Sequence, residues 1–399
     1  MKKNAFFIFF AIFFVIISFM IIFHKTKQKD NELVFWTLQM RDFAPYIEKV
    51  IADFEAQNPD IKIKWIDIPF SEGEKRTLAA ILSNNPPDLI NLNPDFSALL
   101  AQKGTLYEIN ENSLNQFSPQ IISNLKIEGK NYLIPWYATS AITFINSNKG
   151  LNSTPRTYND ILTYCNTTTQ KSIMMFNFSE NDSMLKLLNK YGIAKKEEIN
   201  SLQSISLFKS LQKAYTTGCF PKDSINQTHR EALEKFIAEE TSVFEGGANF
   251  LNLIKENSPK TYSKIKITTQ LTGSTGKYHF SVMNFVIPVK SSKQQEALSF
   301  ALFLTNKENQ LELGKITNVL ATNQEALQDK FYTQSSTKDL QTQARIQSAK
   351  QLKKIQPIPF YQNRKELINL INNATQQILL NQDSVENILN KLKDDWAKL

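Results

Sequence analysis

From Leu33 onward the chain alternates short β-rich runs with amphipathic helical stretches, and that order restricts the fold more than any other feature of its 399 residues. LVFW opens the series as an apolar strand between polar flanks. Tyr46, Ile47, Val50, Ile51 and Phe54 then share one helical face, and the helix must stop at Asn58-Pro59, where proline cannot continue it. IKIKWIDI returns as a strand, Glu74 to Leu82 as a helix ending at NNPP, Asp88 to Leu92 as a third strand, and Phe96 to Gln102 as a helix closed by Gly104. A βαβαβ order predicts right-handed crossovers and a parallel sheet covered on both faces, a doubly wound α/β lobe.

A second series starts after Trp136. AITFIN reads as a strand, Thr157 to Tyr164 as a helix and SIMMFNF as a strand, with helices around Leu185 and Leu207. YHFSVMNFVIPV turns β-like again, and a helix follows from Gln295 to Leu304. The last third is helical: Arg364 to Leu380 carries Leu367, Ile368, Ile371, Ala374 and Ile378 on one face, and Asp383 with Glu386 reads as a capping box for the final helix. Two lobes without a flexible linker predict several strand crossovers, and therefore a hinge with a cleft.

Composition removes several function classes. Only 11 glycines are present, and none are spaced as a dinucleotide fingerprint or a phosphate-binding loop. His24, His229 and His279 with Cys165 and Cys219 supply no metal-ligand pattern, and no G-x-S-x-G elbow appears. The sequence therefore favours binding over catalysis, with no cofactor and no metal expected. Five lysines and Asp30 fall in the first thirty residues, which leaves 41 basic against 37 acidic residues and a net charge near +4 for the body. Without clustered basic stripes, that balance gives nucleic-acid binding little footing.

Met1-Lys2-Lys3-Asn4 precedes an unbroken apolar run from Ala5 to Phe23. As a helix it would be about 28 Å long, close to the roughly 30 Å hydrocarbon core of a bilayer. It lacks a small-x-small cleavage site and a cysteine for lipid attachment, so it reads as an uncleaved N-terminal transmembrane helix; a cleaved signal peptide is the alternative. An exported body would put Cys165 and Cys219 in an oxidising space, where they allow one disulfide; two buried thiols fit the sequence equally.

The order of motifs resembles the extracellular solute-binding proteins of ABC importers, in the family that includes maltose- and multiple-sugar-binding proteins. VFWTLQM is similar to the family's first strand and cleft-entering loop, and IADFEAQNPDIKIKW to its helix-to-strand step. LAAILSNNPPDLINLNPDFSALLAQKGTLYEI is the most specific block. GKNYLIPWYATSAITFINSNKG with TPRTYNDIL resembles the first crossover, FEGGANF a cleft segment, and IPVKSSKQQEALSFALFLTNKENQ the return helix. The chain departs from the family pattern in lacking a lipid-bearing cysteine and in carrying Met283-Asn284 where a glycine pair is common.

The resemblance implies an α/β two-lobed periplasmic-binding-protein clamshell, each lobe a doubly wound sheet, with several crossovers and one N-terminal transmembrane helix before it. The expected division is 1–30 for anchor and linker, 31–138 plus 284–330 for lobe I, and 139–283 plus 331–399 for lobe II. A sugar site needs aromatic platforms and planar polar groups that satisfy hydroxyls. Candidates after the first strand are Gln39 and Met40; an exposed turn would look the same. Asp95 and Phe96 follow the PPDLINL strand, where Asp95 could instead be a helix N-cap. Trp136, Tyr137 and Thr139 sit at the first crossover, with core filling as the competing role of Trp136. Gly246 and Gly247 would let backbone approach a ligand, with Asn249 supplying an amide and Phe250 a face, unless Phe250 is buried beside a tight turn. Tyr361 resembles a late aromatic that closes over ligand, and Arg364 lies within a helical turn of it. Glu180 and Asn181 are weaker candidates; His229 and His279 are assigned to surface and hinge packing.

The function implied is extracytoplasmic capture of a small solute, a sugar or oligosaccharide, by a monomer held at the membrane through residues 5–23, for delivery to ABC permease subunits. Two other readings stay open: an anchored sensor or scaffold clamshell that binds a protein, and a carbohydrate-active hydrolase. The hydrolase would need two facing carboxylates.

Overall fold

The computed structural model describes residues 31–149, 151, 153–334, 339–361 and 363–399. The expected transmembrane helix and membrane anchor over residues 5–23 lie outside the described residues. Among those described, no helix is long and apolar enough to cross a membrane.

The first three strands form where the apolar runs place them. β1 (Glu32–Leu38), β2 (Lys62–Ile68) and β3 (Leu89–Leu92) pair in parallel, with β1 in the middle. Helices Ala44–Gln57 and Phe70–Leu82 make the crossovers. The sheet then departs from the expected parallel, doubly wound form. β8 (Ser281–Val286) lies antiparallel between β3 and β4 (Ile134–Thr139), and β9 (Leu320–Ala321) is antiparallel at the edge, giving the order β2-β1-β3-β8-β4-β9. β8 arrives from the second sheet rather than through a helical crossover, so it enters from the opposite end and runs against β3. Phe35, Tyr46, Trp136, Phe285 and Phe300 fill one face of this sheet, and Ile90, Leu92, Phe96 and Val286 the other.

The second sheet is also not doubly wound. It has three antiparallel strands in the order β6 (Val243–Gly247), β5 (Ala141–Asn146), β7 (Ile265–Thr269). SIMMFNF makes one parallel bridge, Met174 to Val243, and no strand. Ile173, Met174, Phe176 and Phe178 are buried among helices, so the run's apolarity reflects core burial and not strand pairing. The C-terminal helices Arg364–Leu379 and Val385–Trp396 join that core through Leu367, Ile371, Ile378 and Leu389, which pack with Leu187 and Phe208. The last helix is capped by Ser384, whose side chain accepts from the Asn387 N–H. The expected box on Asp383 does not form: Asp383 accepts from the Ser384 N–H, and Glu386 pairs with Lys209 at 2.5 Å. Tyr332, Leu352 and Ile355 pack with Ala138, Val282 and Leu320 on the six-stranded sheet.

Cys165 and Cys219 are bonded, with Cα atoms 5.6 Å apart. The bridge ties helix Tyr158–Thr167 to the end of helix Leu202–Thr216.

Ser140 alone separates β4 of one sheet from β5 of the other. A neutral side-chain network surrounds this crossing. The Ser140 hydroxyl donates to the His279 carbonyl at 3.3 Å, the His279 N–H to Gln270 Oε1 at 2.8 Å, and the Gln270 N–H to Gln351 Oε1 at 2.8 Å. Gln351 in turn donates to the Ala141 carbonyl at 3.0 Å. The His279 ring meets Asn189 Oδ1 at 2.7 Å; because that oxygen also accepts from Gln356 Nε2, the network assigns the proton to His279 Nε2. Burial, with Lys190 and Lys186 nearby, holds the His279 pKa down to about 2.

Two outcomes follow from these contacts. Replacing both cysteines by alanine should lower stability to urea by about 2–4 kcal/mol, since a long closed loop is released in the unfolded chain; an unchanged midpoint would show that the bridge does not constrain it. His279 stays neutral when folded but binds a proton below about pH 6.5 when unfolded, so its contribution is lost as pH falls from 6.5 toward 2. His279→Gln should therefore flatten the stability profile between roughly pH 6 and 4 by up to about 1.4 kcal/mol per pH unit. His229 and the carboxylates titrate in both proteins and cancel. Parallel urea profiles for wild type and variant would contradict this.

Candidate functional site

A cavity of about 390 Å³ opens beside the crossover, walled mainly by the second sheet and its helices. The end of β6 contributes Glu245, Gly246 and Gly247, helix Ser183–Lys190 contributes Lys186, Leu187 and Lys190, and the crossover contributes Thr139, Ser140 and Ala141. Phe280 and Ser281 complete the hinge side. Gly246 is dictated by close packing: a Cβ there would stand 2.6 Å from the Phe244 ring and 3.0 Å from Phe250.

The apolar wall is a ring cluster. His229 stacks on Phe244 at 4.9 Å, and Phe250 meets Phe244 edge-on at 5.8 Å. Burial and Lys186 lower the His229 pKa, which favours the uncharged ring on this wall. Opposite polar groups form a buried knot. Lys190 Nζ lies 2.5 Å from the Leu271 carbonyl, 3.5 Å from Glu245 Oε1 and 5.2 Å above the Tyr158 ring. Glu245 also accepts from the Leu271 N–H at 2.9 Å and the Tyr158 hydroxyl at 3.3 Å. Desolvation lowers the Lys190 pKa against the pull of Glu245. The knot is committed internally, and the uncharged polar side chains of Thr139 and Asn249 line the cavity beside it.

The structure brings Thr139, Gly246, Gly247 and Asn249 to this cavity and separates the other sequence candidates from it. Met40, Phe96 and Trp136 are corrections. Each is buried in the six-stranded sheet's cores, where Trp136 stacks on Phe285 at 4.7 Å. Tyr137 packs against the same core, and burial pushes its pKa up to about 12. Phe250 lies behind Gly246 as part of the ring cluster. Tyr361 is edge-on to Trp396 at 5.9 Å and donates to the Ala194 carbonyl at 2.9 Å, which fixes it to the helical core. Gln39 is exposed after β1 at φ 54°, beside a loop clamped by Asp67, which accepts from the N–H groups of Met40 and Arg41. Asp95 is exposed in the first turn of helix Pro94–Gln102; the N-cap is Asn93, which accepts from the Phe96 N–H at 2.8 Å. Arg364 pairs with Asp182 and Asp95. Glu180 accepts from the His229 N–H and is not a cavity wall.

Lys186, Lys190, His229, Glu245 and Tyr158 were not singled out from sequence as site groups. Glu245 precedes the glycine pair in FEGGANF and was visible there. The lysines, four apart in LKLLNK, carry only a helical spacing. Among the described residues, Glu245 is the one carboxylate lining the cavity, so the facing pair a glycosidase requires is not assembled in it. No group of three or more His, Cys, Asp or Glu side chains among the described residues could hold a metal ion.

A family model for bacterial extracellular solute-binding proteins matches residues 49–340. The multiple sugar-binding protein of Streptococcus mutans is 26% identical over 127 residues, a match spanning 31% of this chain and 30% of that protein. A crystal structure from Synechococcus sp. MITs9220, provisionally described as an oligosaccharide periplasmic-binding protein, superposes with a TM-score of 0.79 at 26% identity, covering 92% of this chain and 98% of that one. The maltose-binding periplasmic protein of Listeria monocytogenes in complex with maltose has the same fold, with a TM-score of 0.75 at 18% identity over 93% of this chain and 99% of that one. The chain belongs to the bacterial extracellular solute-binding protein family.

Proposed function

We propose that the protein captures a sugar or short oligosaccharide outside the cytoplasmic membrane and delivers it to the permease subunits of an ABC importer. The cavity carries this reading: about 390 Å³, with a ring cluster on one side and uncharged hydroxyl and amide groups beside the crossover. Sugars offer apolar C–H faces and hydroxyls in that arrangement. The multiple sugar-binding relative supports the ligand class, and the Cys165–Cys219 disulfide supports an oxidising, extracytoplasmic space. Residues 5–23 would hold the body at the membrane. We take the lobes to divide at Ser140 and again between Gln270 and His279, with residues 330–334 and 339–355 lying across the boundary. Binding then shifts the open–closed equilibrium only as far as the solute favours the closed form.

A thermal-shift screen of the purified protein against mono- and oligosaccharides tests the reading. A cognate solute at 100 times its dissociation constant should add about 2.7 kcal/mol of stability. Asn249→Ala should weaken binding of that solute about tenfold, the worth of one hydrogen bond of roughly 1–1.5 kcal/mol, without lowering the unliganded midpoint. No response from any saccharide, or an undiminished response in the variant, would contradict it.

A further inference from the structure

Arg364 begins helix Arg364–Leu379, whose buried face belongs to the second lobe's core. Its guanidinium is largely enclosed, with 18% of the side chain exposed. Nη2 donates to Asp182 Oδ2 at 2.5 Å, a contact within the same lobe that fixes the group in place. Nε points across the cleft to Asp95 Oδ2 at 3.6 Å. Asp95 stands in the first turn of helix Pro94–Gln102, which follows β3 of the other lobe. Nη1 is buried without a protein partner.

We propose that Arg364 is a latch between the lobes: anchored by Asp182 on one side, it seats on Asp95 as the cleft closes and holds the closed form. The distances show a pair drawn up but not seated. A charge-assisted N–H···O bond sits at about 2.7–2.9 Å, so a closing motion of under about 1 Å would engage Asp95 on the fork. The anchoring carboxylate is shared with the cavity, since Asp182 Oδ1 also accepts from Lys186 at 2.8 Å, and Lys186 lines the solute wall. One carboxylate thus joins the solute wall to the interlobe pair. The planar guanidinium suits this role because it can hold two carboxylates at once in fixed geometry. Arg364 and Asp95 then act on closure rather than on solute.

The inference rests on the two-lobed closure of the functional reading but not on the identity of the solute. Nitroxide labels on cysteines replacing Leu82 in the first lobe and Leu253 in the second, both exposed, report the interlobe distance by pulsed electron resonance without any solute. Asp95 is exposed, so Asp95→Asn should leave the unfolding midpoint unchanged. It should lower the ratio of short to long distances about two- to fivefold, as expected for an ion pair at a partly exposed site. Asp95→Glu should restore the ratio, and about 1 M salt should lower it in wild type, where the screening length falls to roughly 3 Å. Identical distributions in wild type and Asp95→Asn, or no salt response, would overturn the latch. Because no sugar is present, a failed saccharide screen leaves this result standing, and an unmoved distance leaves the sugar reading standing.

Discussion

The passage of the chain from one sheet to the other at Ser140 governs the rest of the molecule. β4 ends at Thr139 and β5 begins at Ala141, so two separate cores are joined where there is no room for a linker. The backbone groups at this point cannot all find ladder partners, and buried polar groups without partners cost about 1–3 kcal/mol each. Ser140, Gln270 and Gln351 take up those bonds with uncharged side chains. Neutral groups can be buried here without the large desolvation cost of ions. They also leave a joint whose bonds run along short segments that can rotate together, which is how hinges absorb motion.

The cavity follows from the same passage. Thr139, Ser140 and Ala141 line it from the joint, and Phe280 and Ser281 from the returning strand, so any rotation of the lobes changes its mouth. Its interior is held rigid by the Lys190, Glu245 and Tyr158 knot, whose charges are spent on one another and on Leu271. A buried pair of this kind adds little net stability, but removing one partner would strand the other. In the proposed reading its value is a wall against which weaker, uncharged contacts select the solute.

Much of the frame was legible in the sequence because apolar periodicity reports burial. The first βαβαβ run, AITFIN and the helix face of Leu367, Ile371 and Ile378 appear as read, while for Cys165 and Cys219 the sequence left a bond and two buried thiols equally open and the structure has the bond. Strand direction was not legible, since parallel and antiparallel strands buried on both faces carry the same apolar pattern, and β8 and the second sheet run against their neighbours. SIMMFNF misled for a related reason: a buried coil between helices is as apolar as a strand. Gly246, Gly247 and Asn249, picked out in FEGGANF, do line the cavity, and at Gly246 the reason is that a side chain would strike the Phe244 and Phe250 rings. Trp136 and Met40 were not separable from core residues, because an aromatic or thioether side chain serves either place. Lys190 was missed because its partner, Glu245, is 55 positions away and only the fold brings them together.

The central claim is that solute binds at the joint between the lobes. Amide hydrogen exchange of the whole protein, with and without a saccharide that raises its melting temperature, tests it most directly. The account predicts slowed exchange at the segments that wall the cavity and the crossover, residues 139–141, 174–190, 244–249 and 279–281 with Tyr158, His229 and Gln270. Slowed exchange instead in the groove lined by Asn159, Asn166, Gln203 and Ser210, with no change at the crossover, would contradict it.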